Sequence, residues 1–399
     1  MAPLTNIGDR LTPSTPTEIT FGEIASGDGR KFATLIGHRA AAGGTGTNYA
    51  AYDVIQVGDP DAAKAEVDAL AGADSELGKM AEAFVKVNST QNRSNFRPFR
   101  VVILPNAETG YGPANEALDT IKLLRSDLIV SPYEANSVPA TLRTDLTDLA
   151  ALLSGPDRGP NGQFGTTVVM ATFESSANAI AINADNQFLT IPWLRDTALA
   201  KAQLVGVVAA AAAGLMLQLV FPYEGLDDEI LGGILAPSQK SDYIQKGATE
   251  LSEAGLQAGL APLYVDPAGR VRMVRSRLSI VTRNTIPVGS NYIDWQDYQV
   301  LYDFREDAYN MENGSQFKNK KANVNRARLL RDELVRLMDQ YEVAEAFQNV
   351  KQLAKLLRLE RNANDRSRFD YKLPVNVVPI LHVIAGNIQA TTLFDEFTI

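Results

Sequence analysis

The chain has 399 residues, 45% of them hydrophobic and 21% charged. This is ordinary globular composition; it excludes a largely disordered chain and leaves room for two or three domains with sizeable cores. With no cysteine and two histidines, disulfides, thiolate metal sites, cysteine nucleophiles and His-rich metal sites are excluded by number. The net charge of −9 is unevenly spread: residues 1–269 carry 18 Lys and Arg against 31 Asp and Glu, and residues 270–399 carry 20 against 16. A basic C-terminal third in an acidic chain implies that the two parts face different partners. It lacks the dense basic stripe with interleaved aromatics that a nucleic-acid binder shows, so no direct nucleic-acid contact is expected.

Residues 1–27 open the chain as an expected extended arm. Pro3, Pro13 and Pro16 fix φ and remove backbone donors, which rules out helix. No apolar h-region precedes them, so no secretory signal is expected. About 24 extended residues span up to roughly 80 Å, whereas a compact chain of this length has a radius of gyration near ~21 Å. The arm is therefore long enough to reach a neighbouring molecule.

From residue 28 to 225 short apolar runs alternate with helical periodicity. Strands are expected at 32–36, 51–57, 100–104, 127–130, 166–172 and 188–191, and helices at 62–70, 76–87, 115–124 and 139–153. That alternation predicts an α/β domain with a largely parallel sheet. The loop 154–162 is a Gly/Pro surface connection. Asp196 is expected to cap a small-residue helix running to about residue 219. The apolar run 204–221 is Ala-dominated and carries Gln218, so it reads as a buried helix and no membrane insertion is expected.

A second region, 226–382, is expected to be α+β. Strands are predicted at 260–265, 271–274 and 278–282, with Asp266-Pro-Ala-Gly269 as the first turn. Helices are predicted at 297–311, 324–341 and 348–359. The middle one is amphipathic, with Leu329, Leu330, Leu334, Leu337 and Met338 on one side. Pro374 and Pro379 break the chain, and residues 383–399 read as a strand followed by a second extended arm.

Candidate chemistry is sparse. Gly43-Gly-Thr-Gly-Thr-Asn48 follows a strand, as a phosphate loop does. It lacks the second half of G-x-G-x-x-G, and no Gly-Lys-Ser/Thr follows. A glycine-rich solvent loop is the reading; an α/β nucleotide-cofactor enzyme using this loop is the alternative from another class. His38 and His382 flank or lie within apolar runs, and no G-x-S-x-G elbow supplies a nucleophile. Glu224, Asp227, Asp228 and Glu229 cluster without calcium-loop spacing. No catalytic residue, metal site or cofactor is expected. Lys318, Lys320, Lys321, Arg326, Arg328, Arg331 and Arg336 make a basic stretch: by default a solvated helix face, otherwise a docking surface for an acidic partner.

Several segments resemble the contractile phage tail sheath family, especially its shorter Mu-like type. Pro222-Tyr-Glu-Gly-Leu226 is similar to the family's linker out of the α/β domain. Glu253-Ala-Gly-Leu-Gln-Ala-Gly259 and Gly259-Leu-Ala-Pro262 resemble its helix and "G-(I/L)-x-P" turn. Gly269-Arg-Val-Arg-Met-Val-Arg-Ser-Arg277 looks like the "G-x-V-x-I-x-R" strand pair, and Asn291-Tyr-Ile-Asp-Trp-Gln-Asp-Tyr298 like the segment before the tube-facing helix. Residues 381–391 resemble the late strand, and Phe394-Asp-Glu-Phe397 stands in the final tail. The "P-G-V-Y" segment that many sheath proteins carry near the start is missing.

The resemblance implies a non-enzymatic subunit that stacks as hexameric rings in a helical homo-oligomer around a tail tube protein. Baseplate and tail terminator proteins would be its further partners. It implies a core sheath domain at 226–382, inter-subunit arms carrying Phe21, Ile24, Ile388, Phe394 and Phe397, and tube-facing residues Arg305, Lys318, Lys320 and Lys321. The place implied is the virion tail, assembled in a bacterial host's cytoplasm. A sheath from a type VI secretion or extracellular contractile injection system is the closer alternative.

Overall fold

In this computed structural model the structure describes residues 32–41, 54–57, 59, 61–90, 99–106, 117, 121, 126–135, 166–182, 185–186, 188–196, 203–219, 225–246, 251–283, 286–287 and 294–379. The N-terminal part is built on a six-stranded sheet. Its strands are β1 (Ala33–His38), β2 (Val54–Val57), β3 (Phe99–Leu104), β4 (Leu128–Val130), β5 (Thr167–Val169) and β6 (Leu189–Thr190), in the order β2-β3-β1-β4-β5-β6. β1, β3, β4, β5 and β6 pair in parallel, and β2 closes one edge antiparallel to β3. The buried run Leu128-Ile-Val130 shows why these strands read as continuous apolar stretches: parallel strands are covered on both faces. The fold is α/β, as the alternation predicts.

Helices α1 (Ala63–Ala71) and α2 (Glu76–Thr90) follow β2, with α3 (Ser176–Ile182) after β5 and α4 (Val205–Gln218) after β6 and β7 (Pro192–Trp193). In α4, residues 206–217 are all buried, which is why the run is apolar on every side. Gly214 lets α4 approach α2 closely; a Cβ there would stand 2.6 Å from the Phe84 carbonyl oxygen. Asp196 does not cap this helix. α4 begins at Val205 with Leu204 in the N-cap position, and Asp196 accepts a bond from Ser238 Oγ at 2.9 Å.

Beyond residue 225, α5 (Leu251–Gln257) leads into β8 (Ala261–Val265) and β9 (Val271–Met273), which pair antiparallel; β8 also pairs in parallel with β7. The turn between β8 and β9 is the expected one: Asp266 accepts from the amides of Ala268 and Arg270, and Gly269 sits at φ +79°. The third strand expected at 278–282 is not a full strand. Ser279 bridges Asn186, and only Thr282–Arg283 (β10) pairs regularly, with Ile286–Pro287 (β11). Side chains take up the carbonyls that a ladder would use, as described below.

Three helices follow among the described residues: α6 (Trp295–Glu312), α7 (Val324–Val343) and α8 (Val350–Leu353). Asn323 caps α7 by accepting the Arg326 amide at 2.9 Å. The helix expected at 348–359 ends early, passing through a 3-10 turn at Ala354–Leu356 into strand β12 (Arg358–Arg361). β12 pairs with β13 (Phe369–Lys372). The turn that follows β12 is held by Asn362, whose Oδ1 accepts the amides of Asn364 and Asp365.

One apolar cluster joins the sheet, α2 and α4 to Leu263, Met273, Trp295, Tyr298 and Tyr302. Another joins Val300, Phe304 and Ala308 to Leu334, Met338, Phe347 and Leu373. Helix α6 therefore lends one face to the first core and another face to the second. Of the helix expected at 115–124, Ala117 and Ile121 are described, both helical and buried. The helix expected at 139–153 lies outside the described residues.

Candidate functional site

The described residues of the segments singled out between 253 and 298 converge into one joint beside β6, β7 and β8, and residues 291–293 lie outside the described residues. Arg277, 1% exposed, sends its guanidinium to the carbonyls of Leu278 at 3.2 Å, Ile280 at 2.6 Å and Leu256. Its own carbonyl accepts from Thr190 Oγ1. Arg275 grips Asp294 with two bonds, at 2.6 and 2.7 Å, just before α6 begins. Bidentate pairing fixes direction as well as distance, so this contact sets where α6 leaves the joint. Gly259, at φ +82°, packs against Ser279, whose hydroxyl donates to the Gly259 carbonyl at 2.8 Å. The arginines and glycines of these motifs hold the joint together.

Toward solvent, Asp266 binds Arg272 at 2.7 Å and Arg270 at 2.8 Å. Arg272 and the turn amides hold its carboxyl well below the usual carboxylate range. Of the acidic cluster, Asp228 bonds Lys246 at 2.6 Å and the Tyr264 hydroxyl at 2.7 Å; burial and this bond push Tyr264 up to about 12. Asp228 is thus part of a satisfied network. Glu224 lies outside the described residues.

His38 ends β1, where the sheet order reverses between β3 and β4. That is the place where open α/β sheets bind ligands. Its Nδ1 meets Glu76 at the start of α2, and its Nε2 lies 3.3 Å from the Tyr133 hydroxyl beyond β4. The three groups tie β1, α2 and the β4 exit together. The Gly43–Asn48 loop and His382 lie outside the described residues. Among the described residues no group of three or more His, Asp or Glu could hold a metal ion, and no helix is long and apolar enough to cross a membrane. A cleft of about 590 Å³ between α2 and the start of α4 is lined by Phe173, Leu204 and Leu235, with Lys79, Glu82 and Lys86 among its polar groups. Lys86 pairs with Glu82 at 2.6 Å.

The basic stretch separates into two environments. Lys318, Lys320 and Lys321 are exposed on the loop joining α6 to α7. That loop is braced where Arg326 donates to the Gln316 carbonyl at 2.7 Å and Arg361 to that of Ala322. On α7, Arg328, Arg331 and Arg336 are exposed, and Arg336 bonds Glu333 at 2.8 Å. Arg305 stands apart, part-buried on α6. Burial lowers its pKa, and Tyr302, Tyr371, Tyr298 and Glu312 oppose that shift. Glu312, 8% exposed, went unnoticed in the sequence; its spacing from Arg305, two helical turns on one face, was the available signal. Phe21, Ile24, Ile388, Phe394 and Phe397 lie outside the described residues.

No family model and no curated sequence matches the chain. Solved structures do. The helical sheath of the anti-feeding prophage in its contracted state superposes with a TM-score of 0.61 at 10% identity, covering 96% of this chain and all of that one. The chain has the fold of the contractile sheath proteins. A sheath tail protein from Desulfitobacterium hafniense gives a TM-score of 0.53 at 11% identity over 92% of this chain and 100% of its own. The contracted sheath of an extracellular contractile injection system gives 0.54 at 10% identity over 96% and 99%. The sheath fold is therefore matched along nearly the whole length of both partners.

Proposed function

We propose that the chain is the structural subunit of a contractile sheath, acting by assembly and change of packing without a catalytic step. The observation that carries this reading is the match to a helical sheath subunit over 96% of this chain and the whole of the other. The satisfied joint around Arg277 and the satisfied polar networks at Asp228 and His38 agree with it, because they leave their side chains engaged in structure. In physical terms, a head-to-tail contact that does not close generates a helical tube. Contraction is then a shift between two packings of one subunit, repeated along the tube.

The finer reading is a phage tail sheath of stacked hexameric rings around a tail tube, bounded by a baseplate and a tail terminator. It is assembled in the bacterial cytoplasm, carried on the virion, and drives the tube through the host envelope for genome ejection. The division at residues 27, 225 and 382 belongs to this reading. So do arms carrying Phe21, Ile24, Ile388, Phe394 and Phe397, which add strands to neighbouring copies; strand addition gives main-chain bonds that depend little on side chains. Deleting residues 1–20 or 386–399 should leave folded monomers that no longer polymerise. Circular dichroism and electron microscopy read both properties, and normal tubes from both truncations would contradict the arm mechanism.

A further inference from the structure

Glu312 is the last residue of the 18-residue helix α6 and is 8% exposed. No donor meets either carboxylate oxygen in good hydrogen-bond geometry, and the Tyr371 hydroxyl is the one hydroxyl that acts on them. A charge there is disfavoured twice, by the lost water and by the negative end of the helix dipole. The groups acting on it are the Tyr371 hydroxyl, from β13, and Arg305, from α6 itself. Arg305 is also faced by Tyr298, Tyr302 and Tyr371. On α7 the Tyr341 hydroxyl donates to Asp307 of α6 at 3.0 Å, and within the hairpin Arg368 is held by Asp370 at 2.6 Å. Leu357 and Leu373, which flank the hairpin strands, share one apolar cluster with Phe304 of α6, and Leu359, Phe369 and Tyr371 of the hairpin pack against it.

We propose that Glu312 is a proton-controlled pin between α6 and the β12–β13 hairpin: with its carboxyl neutral the hairpin stays closed, and with it ionised the hairpin opens from α6. The burial that seals the pocket raises the carboxyl from its ordinary 4.5 to about 7, with Tyr371 and Arg305 opposing. An opened hairpin returns Glu312 to water and to its ordinary value. Between these two values the open form has lost its proton while the closed form keeps it, so closure weakens as pH rises and levels off above neutrality. The device requires only that α6 and the hairpin share this pocket, and does not depend on the sheath reading.

Hydrogen–deuterium exchange of the full-length chain tests it. After correction for intrinsic exchange, protection of residues 358–372 should fall about tenfold between pH 6 and 8.5, while Glu312→Gln keeps it constant. Constant protection in the native protein, or an equal fall in Glu312→Gln, overturns the proposal. Should Glu312→Gln not fold, Tyr371→Phe decides it. Removing the hydroxyl that stabilises the ionised carboxyl should move the midpoint of the loss to higher pH, and an unmoved midpoint overturns the proposal equally.

Discussion

Arg277 is the residue on which the joint turns. A guanidinium offers five donors in a fixed fork, and here it serves the carbonyls of Leu256, Leu278 and Ile280. The carbonyls of Leu278 and Ile280 would otherwise lack these partners, because residues 276–281 form isolated bridges instead of a ladder, whereas that of Leu256 also accepts the Gly259 amide. Replacing Arg277 with Met should therefore cost about 3 kcal/mol or more, the sum of several unsatisfied buried acceptors. Urea denaturation reads this directly; a midpoint within error of the native one would show that the carbonyls find other partners. The sequence pointed to this residue through a motif resemblance, but nothing in the spacing said that its side chain turns inward. Alternation of polar and apolar residues at 269–277 places arginines on the solvent face, and Arg277 breaks that rule because its hydrogen bonds outweigh its desolvation.

Among the elements, the loop joining α6 to α7 is the docking surface proposed for an acidic partner. Lys318, Lys320 and Lys321 are exposed there on a loop held by Arg326 and Arg361. Reversing all three to Glu should weaken binding to an acidic tube roughly tenfold or more at low salt, with the difference shrinking as salt is added. Co-sedimentation with purified tube protein measures it, and unchanged binding would reject this surface. Arg305 is left out of that test because it lies part-buried beside Glu312. The basic balance of the C-terminal third put it among the lysines in the sequence, and charge alone does not say which cations the packing buries.

Element by element, long periodic segments were legible in the sequence: α2, α6 and α7 lie where apolar spacing puts them, and α4 lies within the Ala-rich run read as a buried helix, though it begins later than Asp196 suggested. The β12–β13 hairpin was not. Residues 348–357 favour helix locally, and the extended path from Leu357 onward is imposed by pairing with β13. The Glu76–His38–Tyr133 contact was equally hidden, because it joins three elements distant in the chain.

Across the whole molecule, α6 spans two cores: Trp295, Tyr298 and Tyr302 pack in the first, and Val300, Phe304 and Ala308 in the second. A helix shared by two cores couples them, so a displacement at the loop after α6 would be felt in the α/β part, as the proposed change of packing requires. The uneven charge along the sequence suits the same picture of two faces with different partners. At 10–11% identity to solved sheath structures the fold is shared while few side chains are. Packing tolerates substitution as long as volume and pattern are kept. The most direct measurement is negative-stain electron microscopy of the full-length protein at high concentration. The account predicts hollow, striated tubes of uniform width. Particles that stay monomeric at every concentration, and are thermally stabilised by a nucleotide, would contradict it in favour of a cofactor-binding enzyme.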